Sequence, residues 1–354
     1  MESEEAAMNV DASAAPPGVD LAGLTAWLTE QFPDRPVDTP RVQVIAGGRS
    51  NLTYEVVHSG QSMVLRRPPL GHVLATAHDM HREYTVMSAL APTAVPVPKT
   101  FAYCADPAVI GAPFYLMEKV DGTVYRDSKA LRGLDASDGH ALAGALADTL
   151  AALHTVDPET VGLADFGRPQ GFLDRQIRRW RRQLESSYTR PLPGAEELAE
   201  RIAAARPEST RAAVVHGDFR LDNVLVDPAR PGRIAAVLDW EMSTLGDPLT
   251  DLGITCVYWD GIEDINPSVP PSPGSLPGWP DRAYLVERYA ERSGVHIGQL
   301  DWYIAFAYFK LAVILEGIYC RYTQGLTVGA GFDYIGAAVP ELIARGHETL
   351  AAQG

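Results

Sequence analysis

Residues 214–227, VVHGDFRLDNVLVD, and the VLDWE that follows at 237–241 carry the side chains best suited to chemistry. Asp218 and Asn223 stand five residues apart, and Asp239 ends the next apolar run. A carboxylate can take the proton of an acceptor hydroxyl, while an amide oxygen and a second carboxylate can hold magnesium across a chain of phosphates. That set is what phosphoryl transfer needs. An isolated HGD triplet arises readily by chance, but the whole ordered set does not, with a strand pattern before it and a hairpin inside it.

The elements that must position these residues follow from hydrophobic period. Val214 to Asp239 reads as strand, loop, a second strand NVLV, a DPARPG turn and a third strand IAAVLD. Around this segment the chain beyond Gly122 is mostly helical, with 3.6-residue patterns at 137–154, 171–184, 196–206, 281–293 and 299–322. Ahead of it, Asp20 to Phe32 predicts a short helix capped by Asp20, and Arg41 to Arg67 alternates as three antiparallel strands. Residues 77–90 place Tyr84, Met87 and Leu90 on one helical stripe, and further strands follow to near Lys119. A small unit ordered β-β-β-α-β-β thus precedes a larger helical one.

Composition narrows the functional classes. A chain of 354 residues exceeds the usual single-domain length. Its 46% hydrophobic and 21% charged residues describe a folded protein without a disulfide scaffold. The net charge of −15 repels nucleic-acid phosphates, so no nucleic-acid partner is expected. Cys104, Cys256 and Cys320 are scattered and lack thiolate-zinc spacing, which fits a reducing, cytoplasmic setting. Residues 1–18 read as a disordered acidic tail, acidic where a signal peptide would be basic. Trp302 to Tyr319 is the most apolar long stretch, but Lys310 and Glu316 interrupt it, so it reads as a buried core helix and no membrane partner is expected.

The motif HGDFRLDN with LDWE resembles the aminoglycoside phosphotransferase and choline kinase-like family of small-molecule kinases, and the likeness runs from about Arg41 to Leu342. The spacing of Asp218 and Asn223 is that of the kinase catalytic loop, with Asp239 where D-F-G would begin. AGGRSNLTYEV, VLRRPP, HREYTVMSAL, DRQIRRWRRQL and GDPLTDLG are most similar to the branch also found fused to acyl-CoA dehydrogenases. The resemblance implies an α+β, bilobal protein-kinase-like fold: a small β-sheet N-lobe with one main helix and hinge (19–121) and a larger, mostly helical C-lobe (122–354) that binds the acceptor. It implies ATP and magnesium as cofactors, Asp218 as catalytic base, Asn223 and Asp239 as metal ligands, and His216 as structural support of the loop.

In the N-lobe, Gly47, Gly48, Ser50 and Asn51 lie in AGGRSN between two strands, where backbone N–H groups and the two polar side chains can cover phosphates. A Gly-Gly hairpin turn is the ordinary alternative. Arg66 stands where the family has lysine, with Glu83 on the next helix as its ion-pair partner. Arginine keeps the charge and adds a planar fork, but is bulkier and not equivalent to lysine. By the resemblance, the backbone of Glu118 and Val120 forms the adenine hinge.

Several features have plainer readings. Asp247 and Asp251 read as structural carboxylates, Asp247 also as a helix cap. His72, His78 and His81 read as a solvated helix start rather than a metal site. Arg175, Arg178, Arg179 and Arg182 share one face of an amphipathic helix, opposite Ile177, Trp180 and Leu184. In an acidic chain that stripe also suits an anionic acceptor such as one bearing coenzyme A.

The expected activity is transfer of the γ-phosphoryl group to a small-molecule hydroxyl, hydroxyacyl-CoA being one candidate. Aminoglycosides, amino alcohols and sugars, or a catalytically silent nucleotide-binding module, are the alternatives. A protein kinase is disfavoured because no D-F-G to A-P-E activation segment follows Asp239. Oligomeric state is not readable.

Overall fold

Alternation between Arg41 and Arg67 folds into β1 (Arg41–Val44), β2 (Leu52–His58) and β3 (Gln61–Arg67), each antiparallel to the next. The computed structural model describes residues 15–45, 51–71, 78–125, 128–131, 133–209, 211–262, 272–326 and 335–352. Gly47, Gly48, Ser50 and His72 lie outside them. By contacts the chain forms two units, one of residues 1–88 and 98–120, the other of 89–97 and 121–354.

In the first unit, β4 (Thr100–Cys104) and β5 (Phe114–Glu118) complete a five-stranded antiparallel sheet ordered β1-β2-β3-β5-β4. Successive strand residues face opposite sides, and β3 uses both. Met63 and Leu65 enter a core with Tyr54, Val56, Phe114 and Leu116, packed with Leu24 and Leu28 of α1 (Leu21–Gln31). Arg66 lies on the other side, paired in register with Tyr115 and bonded to Glu83 of α2 (Met80–Leu90). Asp20 caps α1 as its sequence predicts, accepting the N–H groups of Ala22 and Gly23.

The second unit holds α3 (Ser128–Leu131), α4 (Ala136–Thr155), α5 (Phe172–Ser187), α6 (Ala195–Ala204), β6 (Ala213–Val215), β7 (Val224–Val226), β8 (Ile234–Val237), β9 (Thr244–Gly246), α7 (Leu249–Asp260), α8 (Arg282–Ser293), α9 (Leu300–Thr323) and α10 (Ile335–Ala351). The α+β class expected from the sequence is the class observed. The hairpin β7-β8 forms as read, but β6 pairs instead with β9, a three-residue strand too short to show alternation.

Helix α7 shows no helical period in its sequence because nearly every residue in it is buried, which leaves no polar face. Pro340 lies inside α10, and the helix continues through it. Helix α9 is long and apolar enough to cross a membrane by length and composition, but 67% of its apolar stretch is buried and it serves as the core helix of this unit. It packs closely on α7: a Cβ on Gly253 would lie 2.7 Å from the carbonyl oxygen of Tyr303, so only glycine permits this approach.

Candidate active site

The loop between β6 and β7 is built by local bonds. Gly217 has φ +88°, and a Cβ there would meet Met242 at 2.8 Å, so glycine is required both by conformation and by space. His216 is fully buried. Its Nε2 lies 2.8 Å from the Leu238 carbonyl oxygen and so donates to it, while its Nδ1 accepts the Asp218 N–H at 3.2 Å. Both ring nitrogens therefore hold the loop, and neither is left for proton transfer.

Asp218 is half-buried on this loop. The Asn223 amide donates to its carbonyl at 2.8 Å and to its carboxylate at 3.1 Å, so the Asn223 nitrogen is committed inward and its oxygen is the atom left to face a ligand. Leu238 N–H donates to the Asn223 carbonyl at 2.8 Å, tying the segment that ends in Asp239 to the loop. Asp239 itself adopts φ +65° and ψ +59°, a left-handed conformation uncommon outside glycine and found at functional sites where the surroundings enforce it.

A buried carboxylate supports the loop from beneath. Asp251, on the first turn of α7, accepts the N–H of His216 at 2.6 Å and of Gly217 at 2.8 Å, and its Oδ2 lies 3.2 Å from His154 Nε2. His154 in turn contacts the Tyr289 hydroxyl at 2.8 Å. Burial alone would raise the Asp251 pKa, but the hydrogen bond and charge of His154, with the His216 backbone N–H, hold it below the ordinary aspartate value. Asp247 accepts the Leu249 N–H at 3.0 Å and the Tyr303 hydroxyl at 2.8 Å, so it is both a cap and a structural carboxylate.

Two cations flank the loop. Arg220 bridges Asp218 at 3.3 Å and Asp222 at 2.9 Å and lies over Tyr258. Burial opposes its charge, yet Tyr258, Asp218 and Asp222 carry its pKa above the usual arginine value. Lys310 donates from α9 to the Gly217 carbonyl at 2.5 Å. Burial pulls its pKa down, against Asp218 and Asp251, which pull it up. The sequence carried one sign of this: a charge inside an apolar helix must find a partner. His154, Tyr289 and Arg220 carried none.

The first unit holds a second constellation. Glu83 is 1% exposed and collects Arg66 Nε at 3.0 Å, the Tyr115 hydroxyl at 2.8 Å and the Asn51 amide at 2.9 Å. The Arg66–Glu83 pair expected from the sequence is present. Asn51 is buried, and its Oδ1 accepts from His78 Nδ1 at 2.7 Å, so its side chain braces Glu83. His78 is thus half-buried rather than solvated, and burial followed by the nearby Arg66 charge lowers its pKa. Glu118 donates its N–H to the Lys99 carbonyl at 2.8 Å, leaving it no N–H for a base, and Val120 ends this unit.

The arginine stripe divides. Arg175 turns to the carbonyls of Arg168 and Gln170, and Arg178 and Arg182 are exposed. Arg179 lies over the Trp180 ring, 5.2 Å from its centre, and lines a cavity that also reaches Gly217 and Lys310. Among the described residues no cluster of three His, Cys, Asp or Glu could hold a metal ion by itself. Asn223 and Asp239 supply hard oxygen donors of the kind that bind magnesium through one or two side chains, phosphates supplying the rest.

Residues 41–285 match the phosphotransferase enzyme family. Acyl-CoA dehydrogenase family member 11 of Gallus gallus is 36% identical over 300 residues, covering 83% of this chain and 38% of that protein. The chain thus spans two fifths or less of the length of such relatives. A candidate aminoglycoside phosphotransferase from Ralstonia eutropha, known as a crystal structure, is 35% identical with a TM-score of 0.82, covering 94% of this chain and 99% of that one. Aminoglycoside phosphotransferase APH(4)-Ia, solved with ADP and hygromycin B, shares the fold at a TM-score of 0.59 and 17% identity, over 93% of this chain and 98% of its own. With its family pattern spanning most of the chain, a kinase-like fold and the motif HGDFRLDN in place, this protein belongs to the phosphotransferase enzyme family.

Proposed function

We propose that the protein moves the γ-phosphoryl group of ATP, with magnesium, to a hydroxyl of a small molecule, and that a hydroxyacyl-CoA is the acceptor its chemistry suits best. The observation that carries the reading is the loop at 216–223: a half-buried carboxylate at Asp218, braced by Asn223 and supported from beneath by Asp251. Asp218 accepts the proton of the acceptor hydroxyl as the oxygen attacks phosphorus. Asn223 and Asp239 would hold magnesium, which would supply positive charge against the phosphates.

In the first unit, Arg66, oriented by Glu83, grips phosphate oxygens, and the chain around Val120 meets the base. The intact set disfavours a silent module. The complexes of APH(4)-Ia with ADP and of APH(2")-IIia with GDP support a purine nucleotide here. The names of the acyl-CoA dehydrogenase relatives support an acyl-CoA acceptor over an aminosugar.

ADP release with ATP, with and without magnesium, tests this against hydroxyacyl-CoA thioesters, neutral alcohols and kanamycin. Turnover is expected on a hydroxyacyl-CoA, and replacing Asp218 by Asn should lower it about 10² to 10⁴-fold while ATP affinity is kept. Wild-type turnover in the Asp218→Asn protein would remove the base assignment. Preference for kanamycin would replace the acceptor.

A further inference from the structure

Gly217 is clamped from both sides. Its N–H goes to Asp251 at 2.8 Å and its carbonyl receives the Lys310 ammonium at 2.5 Å, which sets the peptide directly before Asp218. A lysine ammonium carries three N–H donors. Among the described residues, Gly217 is the one hydrogen-bond acceptor that Lys310 meets. The ammonium lines a cavity of about 50 Å³ whose walls include Phe172, Trp180 and Phe306. Donors left over on a half-buried cation at such a cavity call for oxygen from a ligand, since an unpaired buried charge is expensive.

Charge and shape select the ligand. Arg179 and Lys310 both lie over Trp180, at 5.2 and 5.6 Å from its ring centre, and both line this cavity. Asp251 lines it too, but its two oxygens are already occupied by His216, Gly217 and His154. The ammonium groups of an aminosugar would meet two cations here. A short aliphatic chain fits the aromatic walls, and a carbonyl or carboxylate oxygen on it fits the donors.

We infer that Lys310 is a specificity-determining residue: one N–H positions Gly217, and the others receive the acyl oxygen of a hydroxylated acyl acceptor, with Arg179 as a second cation. The inference rests on the base being Asp218, which follows the cavity-lining Gly217 in the chain.

The test is calorimetry without nucleotide, using 3-hydroxybutanoyl-CoA, free 3-hydroxybutanoate, butane-1,3-diol, free coenzyme A and kanamycin as probes. Lys310→Gln should weaken binding of the two acyl probes about tenfold or more, the loss expected for a charge-assisted hydrogen bond. Lys310→Arg should recover part of it. Butane-1,3-diol, which lacks the acyl oxygen, should bind both proteins alike, and affinity for ATP should not change. Should Lys310→Gln not fold, Arg179→Gln, at an exposed position, should weaken the acyl probes about threefold at unchanged melting temperature.

Unchanged acyl binding in these variants, a parallel loss of ATP and acyl affinity, tighter wild-type binding of kanamycin, or no wild-type binding of either acyl probe would each overturn the inference. ADP release is measured separately. Absence of turnover with these probes, while the binding differences persist, would remove the proposed reaction and leave the pocket assignment standing.

Discussion

Glu83 in the first unit and Asp251 in the second are both fully buried carboxylates that collect several donors, yet they hold different things. Glu83 receives side chains: Arg66, Tyr115 and Asn51. Asp251 receives backbone, the N–H groups of His216 and Gly217, with His154 beside them. A carboxylate that orients a side chain controls one charge that a ligand can meet. A carboxylate that holds backbone controls the course of the chain itself. Their removal should therefore fail in different ways.

The largest effect is expected at Asp251. Replacing it by Ala strands two buried N–H groups and His154, at about 3 to 5 kcal/mol of stability. Urea unfolding should show this as a fall in the midpoint, with activity lost in step with folding. If the Asp251→Ala protein melts like the wild type, the contrast between the two carboxylates is wrong.

Replacing Glu83 by Gln should act the other way. The amide still accepts from Tyr115, so stability should change little, while Arg66 loses its charged partner. The KM for ATP should rise about tenfold, the weight of one charge-assisted bond, with the acceptor KM nearly constant. A melting temperature lowered as much as in Asp251→Ala would erase the distinction.

Acid titration gives the smallest and sharpest separation. The Asp251 pKa lies below 3.8 in the folded protein, so the unfolded chain binds protons first as pH falls. Its contribution to stability is present above about pH 4 and is lost below that. His78, whose folded pKa lies below 6.5, has the same sign in a higher window: its contribution is full above pH 6.5 and declines as pH falls from there toward the folded value. Melting temperature followed from pH 8 to 3 should show the upper step flattened by His78→Asn. A profile unchanged by that substitution would place His78 outside the Glu83 cluster.

Much of this site was legible before folding. Asp218, Asn223 and Asp239 lie within one loop and hairpin, so their order in the chain nearly dictates their proximity. Much of the sheet of the first unit was equally readable, because β2 and β4 alternate half-buried and buried residues, whereas β3 and β5 bury residues on both faces. Glu83 as partner of Arg66 followed from the resemblance, while the bracing by Asn51 and His78 did not, because a polar residue at a loop end looks alike whether it faces a ligand or a carboxylate.

The chain by itself determined which side chains are available for chemistry and the α+β division of its elements, since both are local properties of residue type and period. Tertiary structure alone decided what supports them. Lys310 meets Gly217 across 93 residues, Asp251 meets His154 across 97, and Tyr289 meets His154 across 135. These contacts depend on α4, α7, α8 and α9 packing around the β6–β9 segment. Helix α7 is buried nearly all round, so no hydrophobic period marks which of its faces meets the loop, and the helical pattern of α9 does not say which element Lys310 meets. Their packing placed a lone lysine of an apolar helix against the loop that carries Asp218.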